Sequence, residues 1–182
     1  MITETAKKDA FDLIVMPTHA GRFRRMLLGS TAAKVLDDAE CPILTTQHAE
    51  TVAPRSLEHR NWICAIGLSA DSVRILLAAR SVATEVGANL SLLHVIPASG
   101  VSGAELRSEE RAAARRQLSD IADAAGFDGG AGPVKEALLH AVAESRADVL
   151  VIGRSGRFGP LGRMRDMAYG LIRDSVCPVV SV

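Results

Sequence analysis

Four arginines crowd one short stretch of this chain: Arg154, Arg157, Arg163 and Arg165, beginning beside Gly153 and Gly156. A guanidinium is a planar fork that grips phosphate through paired hydrogen bonds, so these residue types point to an anion. The competing reading is that they are solvated loop arginines balancing the acidic helices. Other reactive side chains stand alone. His94 ends an apolar run and His19 lies in an early loop, neither with a partner at a fixed spacing. Cys41, Cys64 and Cys177 sit in or beside apolar runs and form no metal-binding pairs, so packing accounts for them better than redox or metal chemistry. Gly-x4-Gly-Lys-(Ser/Thr), His-Glu-x2-His and Gly-x-Ser-x-Gly motifs do not occur. Neither a catalytic residue nor a metal ligand is assigned.

The arginine loop belongs to a repeat. Asp12-Leu-Ile-Val-Met16 and Asp148-Val-Leu-Val-Ile152 each open a unit, and Cys41-Pro-Ile-Leu44 and Cys177-Pro-Val-Val180 each close one. Asp12 to Cys41 and Asp148 to Cys177 are both 29 positions apart, so the copies align without a gap. The apolar run at 11–16 reads as a strand buried on both faces of a parallel sheet, and 43–46, 62–66, 90–96, 149–152 and 178–182 read as further strands. Between them lie helical stretches: 30–36 with Val35, Leu36 and Ala33 on its apolar face, and a long charged helix over 103–125. A further helix is capped by Ser69, carries Val73, Leu76, Leu77, Val82 and Val86, and is stopped by Gly87. Residues 2–10 read as the tail of a helix, Pro133 opens one, and another lies near 167–174. Ser30 is placed as a helix cap. Strands alternating with helices imply βαβ units. Residues 47–61 are polar and aperiodic, as in a linker.

With 182 residues, 48% of them hydrophobic, the chain can build a core, and with only 3% aromatics Ala, Val, Ile and Leu must fill it. The formal net charge of zero argues against a general nucleic-acid or membrane-surface binder, which needs a basic surplus. Apolar runs fall well short of the roughly 18–20 residues of a membrane span. The first residues lack the apolar core of a secretion signal. A reducing cytoplasm fits these features.

The chain resembles the universal stress protein family. The resemblance rests on Leu-Leu-His-Val (92–95), Ala-Asp-Val-Leu-Val-Ile-Gly (147–153), Cys-Pro-Val-Val-Ser-Val (177–182), Asp-Leu-Ile-Val-Met-Pro-Thr-His (12–19), Leu-Leu-Gly-Ser-Thr-Ala-Ala-Lys-Val-Leu (27–36) and Cys-Pro-Ile-Leu (41–44). It implies an α/β fold: a Rossmann-like (adenine nucleotide alpha hydrolase-like) parallel sheet of order 3-2-1-4-5, flanked by helices. Residues 62–182 resemble a complete domain, 1–46 the C-terminal half of another, and 47–61 joins them. Gly126-Phe-Asp-Gly-Gly-Ala-Gly132 stands where strand 3 belongs and makes a poor strand, so strand 3 is expected to be vestigial or absent.

ATP-binding members of that family carry Gly-x2-Gly-x9-Gly-(Ser/Thr) after the fourth strand, and an Asp ending the first. Here Gly153-x2-Gly156 is intact, but eight residues follow instead of nine, and Arg165-Asp166 stands where Gly-(Ser/Thr) should be. Gly67 replaces the first-strand Asp. The first copy has Gly29-Ser30 but Pro17 and Ala20 in place of the two glycines. For a bound nucleotide, the resemblance places Val95 at adenine and Gly153 and Gly156 at the phosphates. Arg154 and Arg157 join them from their place in the loop. The implied function is a cytoplasmic stress-response protein acting by binding or regulation without robust catalysis, its nucleotide site degenerate. One alternative is a switch that takes ATP with Mg2+ and hydrolyses it slowly; another is a ligand-free dimerisation scaffold. The last strand often pairs antiparallel with its counterpart in this family. The terminal strands are therefore expected to pair with each other or to make a homodimer, with no nucleic-acid or membrane partner.

Overall fold

The computed structural model describes residues 1–18, 28–46, 59–69, 71–97, 104–122, 131–132, 134–154 and 163–182. Of residues 97, 104–107, 118–122, 131–132 and 163–166 it describes the backbone alone. The first repeat gives α1 (Ile2–Lys8), β1 (Ile14–Pro17), α2 (Ser30–Asp38) and β2 (Ile43–Thr46). Then come β3 (Asn61–Ala65), α3 (Ser72–Glu85), β4 (Asn89–Leu93), the two-residue β5 (Ile96–Pro97) and α4 (Ala104–Ala122). The chain closes with β6 (Ala131–Gly132), α5 (Val134–Glu144), β7 (Val149–Ile152), α6 (Arg163–Asp174) and β8 (Val179–Ser181).

Among the described residues, six strands form one sheet of order β1-β2-β8-β7-β3-β4. All neighbours are parallel except β2 and β8, which run antiparallel. Strand 3 survives as β6, which pairs with β5 in a separate two-stranded ladder. The glycine-rich approach to β6 leaves few side chains to pack on a pleated surface, which limits it to two residues.

The junction of the repeats is built on local symmetry. Each residue of the first copy has its counterpart 136 positions later. Across β2 and β8 the register is Ile43 to Ser181, Leu44 to Val180 and Thr45 to Val179. Leu44 therefore meets its own counterpart, and the flanking pairs exchange theirs, as an isologous two-fold contact requires. The same axis brings the Tyr169 hydroxyl on α6 to the carbonyl of Ala33, its counterpart on α2, at 3.3 Å, and to Asp37 Oδ1 at 2.8 Å. Local backbone repeats too: Ala10 and Arg146, counterparts after α1 and α5, share a φ of 51°.

The terminal strands thus pair with each other, the first of the two arrangements expected of them. β2 already has β1 and β8 on its two edges, and β8 has β2 and β7. Neither keeps a free edge, because the antiparallel contact is made within one chain.

One core cluster fills each side of the sheet. On one face, Val35, Leu36, Ile43, Leu150, Leu171, Ile172 and Val179 pack beneath α2, α5 and α6. On the other, Trp62, Cys64, Ile75, Ala79, Ala83, Val149, Val151 and Val180 pack beneath α3. The buried stripe of α3 is Ser72, Ile75, Ala79 and Ala83, whereas Val73 and Leu77 are exposed. Of the larger residues expected to form its apolar face, Leu76 and Val82 pack at the margin of the core, while Val73, Leu77 and Val86 lie outside. The buried positions fall at i, i+3, i+7 and i+11, one helical stripe, and its small residues Ser72, Ala79 and Ala83 let the helix settle close to the strands. Val15 on β1 is 63% exposed, while its counterpart Val151 is fully buried.

Two helix starts also differ from expectation. Gly29, not Ser30, is the N-cap of α2, and Asp71, not Ser69, precedes α3. Ser69 instead donates its backbone N–H to Ser72 Oγ at 2.9 Å. Gly87 follows α3 with a φ of +67°, the left-handed conformation that glycine adopts without a Cβ clash. Pro133 and most of the linker lie outside the described residues, and Asn61 already belongs to β3.

Asp148, which opens the second repeat, aligns β7 with β3. Its Oδ2 accepts the backbone N–H groups of Arg60 and Asn61, each at 2.8 Å. Asp148→Ala is expected to cost about 1–2 kcal/mol, the range for losing charge-assisted bonds in a partly exposed place. Urea unfolding would check it.

At the far end of α6, Asp174 accepts hydrogen bonds from Arg173 and from Lys135 of α5. The Arg173 hydrogen bond and then that of Lys135 hold its carboxyl down to about 2, against an opposing contribution from partial burial. A depressed folded-state value means that this contribution is present above the unfolded value near 4 and is lost as pH falls towards about 2. Asp174→Asn is expected to remove this part of the acid sensitivity. Unfolding midpoints of both proteins across that window would show it.

Candidate functional site

The C-terminal ends of the parallel strands form the mouth of the sheet. β3 lies between β4 and β7, and the chain leaves it first towards β4 and returns later to β7. The boundary between β3 and β7 is therefore a topological switch point, where open α/β sheets leave a crevice. Gly67 follows β3, His94 and Val95 follow β4, and Gly153 and Arg154 follow β7.

Gly153 lies under α3. A Cβ built on it would fall 2.3 Å from Ile75 Cδ1 and 3.1 Å from Cγ1, so Ile75 occupies the space that the missing side chain leaves. The glycine serves close helix–strand packing there. Gly67 is the reverse case: among the described residues, a Cβ would meet nothing within 4 Å. The crevice is open beside β3 and filled beside β7.

Val95 is buried within the α5–α6 side of the core, beside the break between β4 and β5. It stands two strands away from Gly153, about 10 Å at ordinary strand spacing. His94, in its Nδ1–H tautomer, donates to the Ile66 carbonyl at 2.9 Å, which ties the end of β4 to that of β3. This is a structural partner for the ring. Gly156 and Arg157 lie outside the described residues, as does His19, and nothing is described of the side chains of Arg163 and Arg165.

Arg154 turns away from the crevice. Its Nη1 donates to the carbonyls of Leu36 at 3.1 Å and Ala39 at 3.0 Å, and its Nη2 to that of Cys41 at 2.8 Å. These are carbonyls at the C-terminal end of α2, in the other repeat, where helical carbonyls lack partners and a cation is favoured. Its backbone N–H is also used, donating to Val182 at 2.8 Å. Burial lowers the guanidinium from its ordinary value; Cys41 opposes this and the nearby Arg74 adds to it. Two features of the mouth were thus not evident from sequence: the Arg154 bonds and the Ile75 contact. Neither has a local signal, since the Arg154 partners lie 113–118 positions away.

The family model described as the universal stress protein family matches residues 1–47 and 59–182. This chain belongs to the universal stress protein family. Solved structures carry the same fold. A putative universal stress protein from Pseudomonas aeruginosa UCBPP-PA14 matches all of the chain with 18% identity and a TM-score of 0.77. A universal stress protein from Archaeoglobus fulgidus DSM 4304 matches 99% of it with 24% identity and a TM-score of 0.64. The chain spans 66% and 63% of the lengths of these two proteins. Another, from Archaeoglobus fulgidus and solved in complex with dAMP, matches 69% of the chain and 98% of its own with 19% identity and a TM-score of 0.49. Comparison with curated proteins gave no match. Among the described residues, no helix is long and apolar enough to cross a membrane.

Proposed function

We propose that this universal stress protein acts in the cytoplasm by binding or regulation, without robust catalysis, and that its adenine-nucleotide site is degenerate. Residues 62–182 are the complete domain in this reading and residues 1–46 a docked half. The observation that carries the reading is Ile75 lying on Gly153. A phosphate-binding glycine works by letting the ligand reach the backbone, and here a side chain has taken that approach. Two features agree with it. Arg154 spends its guanidinium on α2, and Gly67 leaves room but no carboxylate for an adenosine group.

The rival is an ATP-binding switch, with Mg2+, using Val95 at adenine and Gly153, Gly156 and Arg157 at the phosphates. Calorimetric titration with ATP and Mg2+ separates the two. The degenerate site predicts a wild-type dissociation constant of about 1 mM or weaker, near −4 kcal/mol. Gly67→Asp has space for its side chain and is expected to tighten binding at least roughly tenfold by restoring one charge-assisted hydrogen bond. Micromolar binding by the wild type would establish the switch. An unchanged affinity in Gly67→Asp would place the site elsewhere. If the protein dimerises, β1 supplies the surface in this reading, since Val15 is exposed and β1 ends the sheet.

A further inference from the structure

The Arg154 contacts connect the start of the loop after β7 to the opposite repeat. Three carbonyls from Leu36, Ala39 and Cys41 surround one guanidinium, and both of its terminal nitrogens are engaged. The contact is one-sided. The counterpart of Arg154 is Thr18, whose backbone N–H makes the equivalent bond, to Thr46 at 3.1 Å, but whose short hydroxyl side chain donates to that same carbonyl at 3.4 Å and carries no guanidinium. The C-terminal end of α6 is secured by other means: Ser175 Oγ accepts the Cys177 N–H at 3.3 Å, and Arg173 and Lys135 hold Asp174. The two-fold symmetry of the junction therefore does not by itself produce the arginine contact.

We propose that Arg154 is a positioning residue that clasps α2, so that the first repeat fixes the backbone from which the β7–α6 loop departs. The first repeat then serves the second as a brace at the end of β7. Geometry favours this over an anion-binding role. A phosphate would have to draw the fork off three carbonyls that have few other donors, and the Arg154 backbone N–H is already bound to Val182. The three carbonyls hold the fork against the like charge of the nearby Arg74.

The clasp itself does not depend on nucleotide binding, and its test begins without ligand. Arg154→Ala and Arg154→Lys are compared with wild type by residue-resolved hydrogen exchange. Lysine keeps the charge and can still meet a phosphate, but a single ammonium cannot span the three carbonyls. Both variants are expected to raise exchange roughly tenfold or more at Ala39 N–H on α2 and at Arg154 and Val182 N–H together, with β3 and β4 still protected. Unchanged exchange at either place in both variants would overturn the proposal. A titration with ADP and Mg2+ adds a second arm that rests on the site proposed above. Affinity lost in Arg154→Ala, kept in Arg154→Lys, and accompanied by wild-type exchange in both would make Arg154 a phosphate ligand and overturn the clasp. Failure of the wild type to bind, with coupled exchange intact, would count against the switch reading alone and leave the clasp supported.

Discussion

Ile43→Ala is expected to destabilise the whole protein by about 2–5 kcal/mol, the range for truncating a fully buried aliphatic side chain. Ile43 has no exposed surface and sits where the repeats meet. Its core neighbours include Val35 and Leu36 from the first repeat and Leu171, Ile172 and Val179 from the second. Its strand pairs with β1 on one side and β8 on the other. A cavity there weakens both halves at once, so the unfolding curve should shift as one transition. For a chain of this size the midpoint falls by about 2–4 °C per kcal/mol. Total stabilities are commonly about 5–15 kcal/mol, so this loss is a large fraction. Calorimetry on the variant would check both the size and the single transition.

The second large effect is expected at Gly153. Gly153→Val must displace Ile75, since even a Cβ would lie 2.3 Å from its Cδ1. Overpacking of this kind costs about 1–3 kcal/mol. Ile75→Val removes the Cδ1 atom and should restore part of the loss when combined with Gly153→Val. The double-mutant cycle is expected to show coupling of about 0.5–3 kcal/mol. Additive effects would mean that the Gly153–Ile75 contact does not set the packing at the mouth. The result also bears on function: destabilisation relieved through Ile75 identifies Gly153 as a packing glycine.

Much of the fold was legible because it repeats. The matched Asp-to-Cys spacing fixed the order of elements, and β2 and β7 fall where their apolar runs begin and end. Helix α3 was harder. Its large apolar residues drew the apolar face to Val73, Leu76, Leu77, Val82 and Val86, but the sheet takes Ile75 with the small residues Ser72, Ala79 and Ala83, and only Leu76 and Val82 of the expected set pack beside them. Periodicity finds a stripe; it does not say which of two stripes meets a close-packed sheet. At the site, the glycines and arginines were visible as residue types, but their partners were not. Arg154 looked like a phosphate ligand because it follows Gly153 in a basic loop. Its carbonyl partners belong to a helix end more than a hundred residues earlier, brought close by the β2–β8 pairing. The pairing of the terminal strands was foreseen, but only the structure shows that β1 and β7 take their remaining edges.

Two unequal repeats form one folded body across β2 and β8. Native-state hydrogen exchange in increasing urea tests it most directly, comparing Thr18 N–H, which bonds to Thr46 in the first repeat, with Val182 N–H, which bonds to Ile152 in the second. One body predicts that both amides merge into the same global unfolding isotherm, with the same free energy and urea dependence. Exchange of Thr18 through a separate, lower-energy opening while Val182 stays protected to the global limit would contradict it.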